Sequence, residues 1–193
     1  MPEEETPPRR RPSRTVRLFR PLGRLWLRAT GFGVEGQMPD IAKFVLVAAP
    51  HTTNWDLPYT LAAGLHYGVR VHWMGKESIF KWPFGGMMRR LGGIAVDRTR
   101  SNNSVEQMAA AFARSERLIL VIAPEGTRGS VAQWRSGFYH IAHAAKVPLV
   151  LGFIDYERRR VGIGGVFHPT GDYEVDLPRI QAFYRRIAPP TAA

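Results

Sequence analysis

The chain has 193 residues, 45% of them hydrophobic, enough for the core of one domain, and no cysteine, which excludes disulfides, cysteine zinc sites and thiol catalysis. Its formal net charge of +11, from 27 Lys+Arg against 16 Asp+Glu, attracts polyanions: lipid surfaces, nucleic acid, acidic carrier proteins or phosphorylated small molecules. No apolar run nears the roughly 18 residues needed to span a bilayer, and acids and arginines stand where a secretory signal would be apolar, so the expected location is cytoplasmic.

Residues 1–13 mix acids, prolines and arginines without periodicity and are expected to form a disordered leader. Residues 14–32, "RTVRLFRPLGRLWLRATGF", interleave arginines with bulky apolar residues, the pattern of a basic amphipathic helix at a membrane interface. The same pattern suits a helix that caps the core with one solvated face, and the two readings are compatible. Pro21 and Gly23 are expected to break or kink any helix there.

From Gly33 to the end, strands and helices alternate. "KFVLVAA" reads as a strand and "DLPYTLAAGLHYG" as a helix with Pro58 tolerated in its first turn. "VRVHWMG" is a strand, "WPFGGMMRRLGG" a helix opened by Pro83, and "GGIAV" the start of another strand. "SNNSVEQMAAAFARSE" is the clearest helix, with Ser104 as its N-cap. Then come the strand "RLILVIAP", the helix "GFYHIAHAAK", the strand "VPLVLGFIDY", a hairpin-like pair around "RRVGIGGVFHP" and the closing helix "LPRIQAFYRRI". This order predicts a single α/β domain over residues 33–193, with a mostly parallel or mixed sheet flanked by helices on both faces.

Ligands in such sheets bind beyond the carboxyl ends of the strands, and two clusters fall there. His51 and Asp56, in "HTTNWD", follow the first strong strand. A neutral imidazole accepts a proton near physiological pH, and a carboxylate on its other ring nitrogen fixes the tautomer and stabilises the imidazolium. For the pair on its own the bland reading, a histidine capping a loop and a solvated helix-start acid, is the favoured one, because short His/Asp spacings are common by chance. "PEGTRG", after "LILVIA", provides Gly126, which lets backbone approach a ligand, and Arg128, whose planar fork suits phosphate. A third cluster, "GGIAVDRTR", ends a strand with Arg98 and Arg100.

Together, "HTTNWD", "GGIAVDR", "PEGTR" and "VPLV" resemble, in order and rough spacing, the four sequence blocks of the glycerolipid acyltransferase family, which includes the 1-acylglycerol-3-phosphate acyltransferases. The resemblance runs from about Gly33 to about Phe167. It implies His51 as general base with Asp56 as its partner. It also implies Arg98, Glu125, Gly126, Thr127 and Arg128, with Lys76 adding charge, as the site for the acceptor's phosphate or polar head, and Pro148 near the acyl pocket. Departures from the family are Pro50, where asparagine is usual before the histidine, Ala123, where an aromatic is common, and "WRSG" in place of phenylalanine and lysine before glycine.

The implied reaction moves a fatty acyl group from a thioester, acyl-CoA or acyl carrier protein, to a hydroxyl of a lysophospholipid-type acceptor at the inner face of the membrane. These are co-substrates, and no cofactor is expected. No metal is expected either: His140 and His143 stand three apart on one helix, but no further ligands accompany them. Nor is nucleic acid, since the tryptophans apart from Trp26 lie outside the basic stretch. The alternative is a non-enzymatic or inactive family member that binds anionic membranes through its basic surface.

Overall fold

The structure is a computed structural model and describes residues 13–51, 53–96, 101–126 and 134–187. All of the expected leader except Ser13 therefore lies outside the described residues. The elements are, in chain order, α1 (Arg14–Ala29), β1 (Gly33–Glu35), β2 (Lys43–Ala48), α2 (Asp56–Tyr67), β3 (His72–Lys76), a 3₁₀ turn (Glu77–Phe80), α3 (Gly85–Arg90) and β4 (Gly93–Val96). They continue with α4 (Ser101–Arg114), β5 (Leu118–Ile122), α5 (Gly137–Ala144), β6 (Leu149–Asp155), β7 (Arg160–Phe167) and α6 (Tyr173–Ile187).

One seven-stranded sheet runs in the order β1-β7-β6-β2-β5-β3-β4. β2, β3, β4, β5 and β6 are mutually parallel, and β7 returns antiparallel to β6 as the expected hairpin. The central strands are continuous apolar runs because both of their faces are buried. Val45 and Val47 of β2, Leu118 and Leu120 of β5, and Leu149 and Leu151 of β6 face one side, against Met108 and Phe112 of α4, Phe138 and Ile141 of α5, and Ile180 and Tyr184 of α6. Their alternating neighbours Phe44, Leu46, Ile119 and Val150 face the other side with Val69 and Val71. There Leu27 of α1 joins Tyr59, Ala62 and Ala63 of α2 over Ile154 and Val161. The result is helix, sheet, helix in three layers, as the alternation of elements predicts.

The structure corrects three local expectations. α1 is continuous through Pro21 and Gly23 rather than broken. Proline removes one backbone donor, but the helix is held by its packing on α2. Gly23 is where the two helices touch: a Cβ there would lie 2.7 Å from Leu65 Cβ and 2.8 Å from the Ala62 carbonyl oxygen. Nearby, Arg20 Nε donates to the His66 carbonyl at 3.1 Å. The helix expected over residues 82–93 is only Gly85–Arg90, because the segment before it turns inward to bury Phe80. α4 begins at Ser101, so Ser104 lies inside the helix and not at its cap. The edge strand β1, parallel to β7, is an element the sequence reading does not contain. Among the described residues no helix is long and apolar enough to cross a membrane.

Candidate active site

β2 and β5 pair in parallel register, Lys43 opposite Leu118 through Val47 opposite Ile122, so the segments that follow them emerge at the same edge of the sheet. One carries His51 and the other Glu125. The two are bonded directly: the His51 backbone N–H donates to Glu125 Oε1 at 3.2 Å.

The loop after β2 then turns into α2, whose first residue is Asp56. Its carboxylate is buried, and Oδ2 lies 2.6 Å from His51 Nδ1. The Thr53 backbone N–H donates to the same oxygen at 3.3 Å, and the Trp55 N–H donates to Thr53 Oγ1 at 2.9 Å, which shapes the loop between histidine and acid. The other oxygen, Oδ1, accepts from the Tyr156 hydroxyl at 2.5 Å. Burial first, and then the bond to Asp56, push the Tyr156 hydroxyl well above the ordinary tyrosine range, so it remains a donor. With Nδ1–H given to Asp56, the tautomer makes Nε2 the acceptor nitrogen of the His51 ring.

Glu125 is only 6% exposed, and among the described residues its Oε2 has no hydrogen-bond partner. Burial pushes its carboxyl up, against the N–H groups of Glu125 itself and His51, which favour the charged form. Gly126 follows with φ +67°, a conformation glycine adopts without strain. A Cβ on Gly126 would stand 2.6 Å from Arg135 Cδ, so the arginine side chain lies across the glycine. The Arg135 N–H donates to the Pro124 carbonyl at 2.8 Å and keeps the two segments together.

His51 and Asp56 line a cleft of about 1720 Å³. Toward the β3–β4 side its wall is apolar, with Trp73, Met74, Ile79, Met88 and Val96. At the start of α5 the wall is polar, with Arg135, Ser136 and His140 beside Gly126. The cleft therefore presents a proton acceptor between a surface suited to an alkyl chain and one suited to a polar, anionic head.

The structure thus brings together His51, Asp56, Glu125 and Gly126. Lys76 is exposed at the end of β3 and is not among the described residues that line the cleft. Arg98, Thr127 and Arg128 lie outside the described residues. His143 stacks on Tyr139 with ring planes 3° apart, while His140 lines the cleft, and among the described residues no three acidic or histidine side chains gather to hold a metal. The sequence reading assigned no role to Tyr156 or Arg135. Tyr156 is 100 positions from Asp56 and carries no local signal. Arg135 belongs to "WRSG", where the cation and glycine of the family pattern were the available sign.

Residues 34–151 match the family model described as Acyltransferase. The fold is similar to the crystal structure of the 1-acyl-sn-glycerophosphate (LPA) acyltransferase PlsC from Thermotoga maritima, with a TM-score of 0.64 and 16% identity over 92% of this chain and 81% of that one. No curated protein matches the sequence.

Proposed function

The chain belongs to the acyltransferase family, and on that premise we propose that it moves a fatty acyl group from an acyl thioester to a hydroxyl of a lysophospholipid-type acceptor, with His51 as general base. The observation that carries this reading is the 2.6 Å contact between His51 Nδ1 and Asp56 Oδ2 beside a large cleft that is apolar on one wall. His51 Nε2 takes the proton of the acceptor hydroxyl as its oxygen attacks the thioester carbonyl, and Asp56 stabilises the imidazolium. The tetrahedral oxyanion collapses and expels the thiolate, which takes up a proton, so that ester and free thiol are the products.

In this reading the alkyl chain lies along Trp73, Met74 and Ile79. The acceptor's phosphate or similar anion meets the block "EGTR", Glu125, Gly126, Thr127 and Arg128, with Arg98 from the preceding block and Lys76 adding positive charge. The family default for the acceptor is 1-acylglycerol-3-phosphate. The donor is a long-chain acyl-CoA or an acyl carrier protein; both deliver the same thioester carbon, and neither requires a resident cofactor. α1, with its arginines and exposed leucines, rests on the anionic inner face of the membrane, where such acceptors reside.

A second reading, a lipid-binding member of the family without turnover, draws on the same α1 surface and has no use for His51. The two separate in one assay: free thiol released from a long-chain acyl-CoA, or from acylated carrier protein, with a panel of lysolipid acceptors. Release that depends on one acceptor supports the enzyme and identifies that acceptor. No release with any donor and acceptor pair, from protein that still binds anionic vesicles, overturns it in favour of the binder.

A further inference from the structure

Two lips of the cleft, each formed next to residues that line it, carry exposed apolar side chains. One lip carries Trp55, which adjoins the lining residues Asn54 and Asp56 in the chain and is 59% exposed. The Trp26 ring of α1 stacks against it, with centroids 6.5 Å apart. At about 100° per residue along α1, Leu18, Leu22, Leu25 and Trp26 share one stripe. Val16, Gly23 and Leu27 form the buried stripe that faces the protein, and Arg14, Arg17, Arg24 and Arg28 fall between the two.

The other lip is the 3₁₀ turn and α3. Ile79 and Met88 line the cleft, while Trp82 is 94% exposed and Phe84 63%. This exposure is not a core residue left without a socket. Phe80, two positions before Trp82, fills the interior: it is buried, stacks on Trp73 at 5.7 Å, and its backbone packs where a Cβ on Gly85 would sit. The turn is thereby held in place with its two largest neighbouring aromatics outside. From 76 to 90 the charged residues are Lys76, Lys81, Arg89 and Arg90 against the single acid Glu77.

We propose that this turn is a second membrane-insertion point, in which Trp82 and Phe84 enter the boundary between headgroups and acyl chains of an anionic bilayer while α1 lies on the same surface across the mouth. A convex turn that projects a tryptophan and a phenylalanine among cations matches what an interface accepts: amphipathic rings at headgroup depth, and lysines and arginines against phosphates. An acidic carrier protein would answer the cations but leaves an almost fully exposed tryptophan at a turn without a partner surface. With both lips seated, the cleft opens against lipid, and an amphiphile reaches His51 without leaving the bilayer. The proposal goes beyond acyl transfer and is tested without turnover, so each can fail while the other stands.

The experiment is sedimentation of the full chain with vesicles of phosphatidylglycerol and phosphatidylcholine, compared with phosphatidylcholine alone, for wild type and the double variant Trp82→Ser, Phe84→Ser. Thermal melts and analytical ultracentrifugation accompany it. The expected result is tight binding to anionic vesicles, weakened about tenfold or more in the variant, with melting point and oligomeric state unchanged. As an independent readout, lipids brominated along their acyl chains quench wild-type tryptophan emission, and Trp82→Phe loses a share of that quenching. Equal vesicle binding by wild type and the double variant would overturn the proposal. So would a change of oligomeric state in the variant with vesicle binding intact, which would assign the patch to self-association.

Discussion

The Tyr156 hydroxyl lies 2.5 Å from Asp56 Oδ1, on the opposite oxygen from the one that His51 Nδ1 approaches at 2.6 Å. The carboxylate is therefore held from both sides, and its orientation toward the imidazole depends on the residue that follows β6. Phe32 and Tyr59 each meet the Tyr156 ring in a T-shaped contact, with centroids 5.7 Å apart. Removing only the hydroxyl keeps that packing. A hydrogen bond to a charged group contributes about 1.5–3 kcal/mol, so Tyr156→Phe is expected to lower kcat about tenfold with KM little changed and the fold intact. Steady-state kinetics beside circular dichroism check this; unaltered kcat would mean that the hydroxyl does not position Asp56.

Glu125 gives a pH dependence of stability. Burial holds its carboxyl above the ordinary glutamate value of 4.5, so the folded chain keeps this proton where the unfolded chain has released it. The contribution of such a group is fully present below the unfolded value and is lost as pH rises through the folded one. Relative to Glu125→Gln, wild type is expected to lose stability as pH climbs from about 4.5 upward. Denaturant unfolding of both proteins across that range measures it, and parallel curves would show that the buried acid is ionised at no cost.

Gly23 sets the distance between α1 and α2. Alanine normally gains up to about 1 kcal/mol over glycine inside a helix. Here its Cβ would stand 2.8 Å from the Ala62 backbone oxygen, which a rotamer change cannot relieve. Overpacking of this kind costs about 1–3 kcal/mol, so Gly23→Ala is expected to lower stability by about 1 kcal/mol despite the better helix former. The denaturation midpoint decides: a raised midpoint would mean that the helices part freely.

Arg135 lies across Gly126 at the polar wall of the cleft. If the acceptor's anion docks there, Arg135→Ala is expected to raise KM for a phosphate-bearing acceptor about tenfold while kcat and the KM for the thioester change little. An equal loss with an uncharged acceptor would remove the arginine from headgroup recognition.

The central strands were legible because β2, β5 and β6 are buried on both faces, and a strand of that kind is a continuous apolar run such as "FVLVA" or "LILVI". β1 was not, since three residues on a sheet edge carry no period. α3 was overextended because the local pattern gives no sign that Phe80 turns inward and ends the regular segment. In α1 the proline and glycine signals were read locally, while the helix persists through a tertiary contact at Leu65. The site divides in the same way. His51 and Asp56 sit in one short loop and helix start, and the spacing between them is readable. The link from His51 to Glu125 needs the parallel pairing of β2 with β5, and Tyr156 reaches Asp56 from 100 residues away through the order of the sheet.

The most direct test of the central claim is thiol release from a long-chain acyl-CoA in the presence of 1-acylglycerol-3-phosphate by wild type and His51→Ala, with melting points measured on both. Loss of the general base is expected to lower acceptor-dependent release by about a hundredfold to ten-thousandfold in a protein that melts like wild type. Normal release by a folded His51→Ala protein would contradict the account, because the proton of the acceptor would then be taken by some other group.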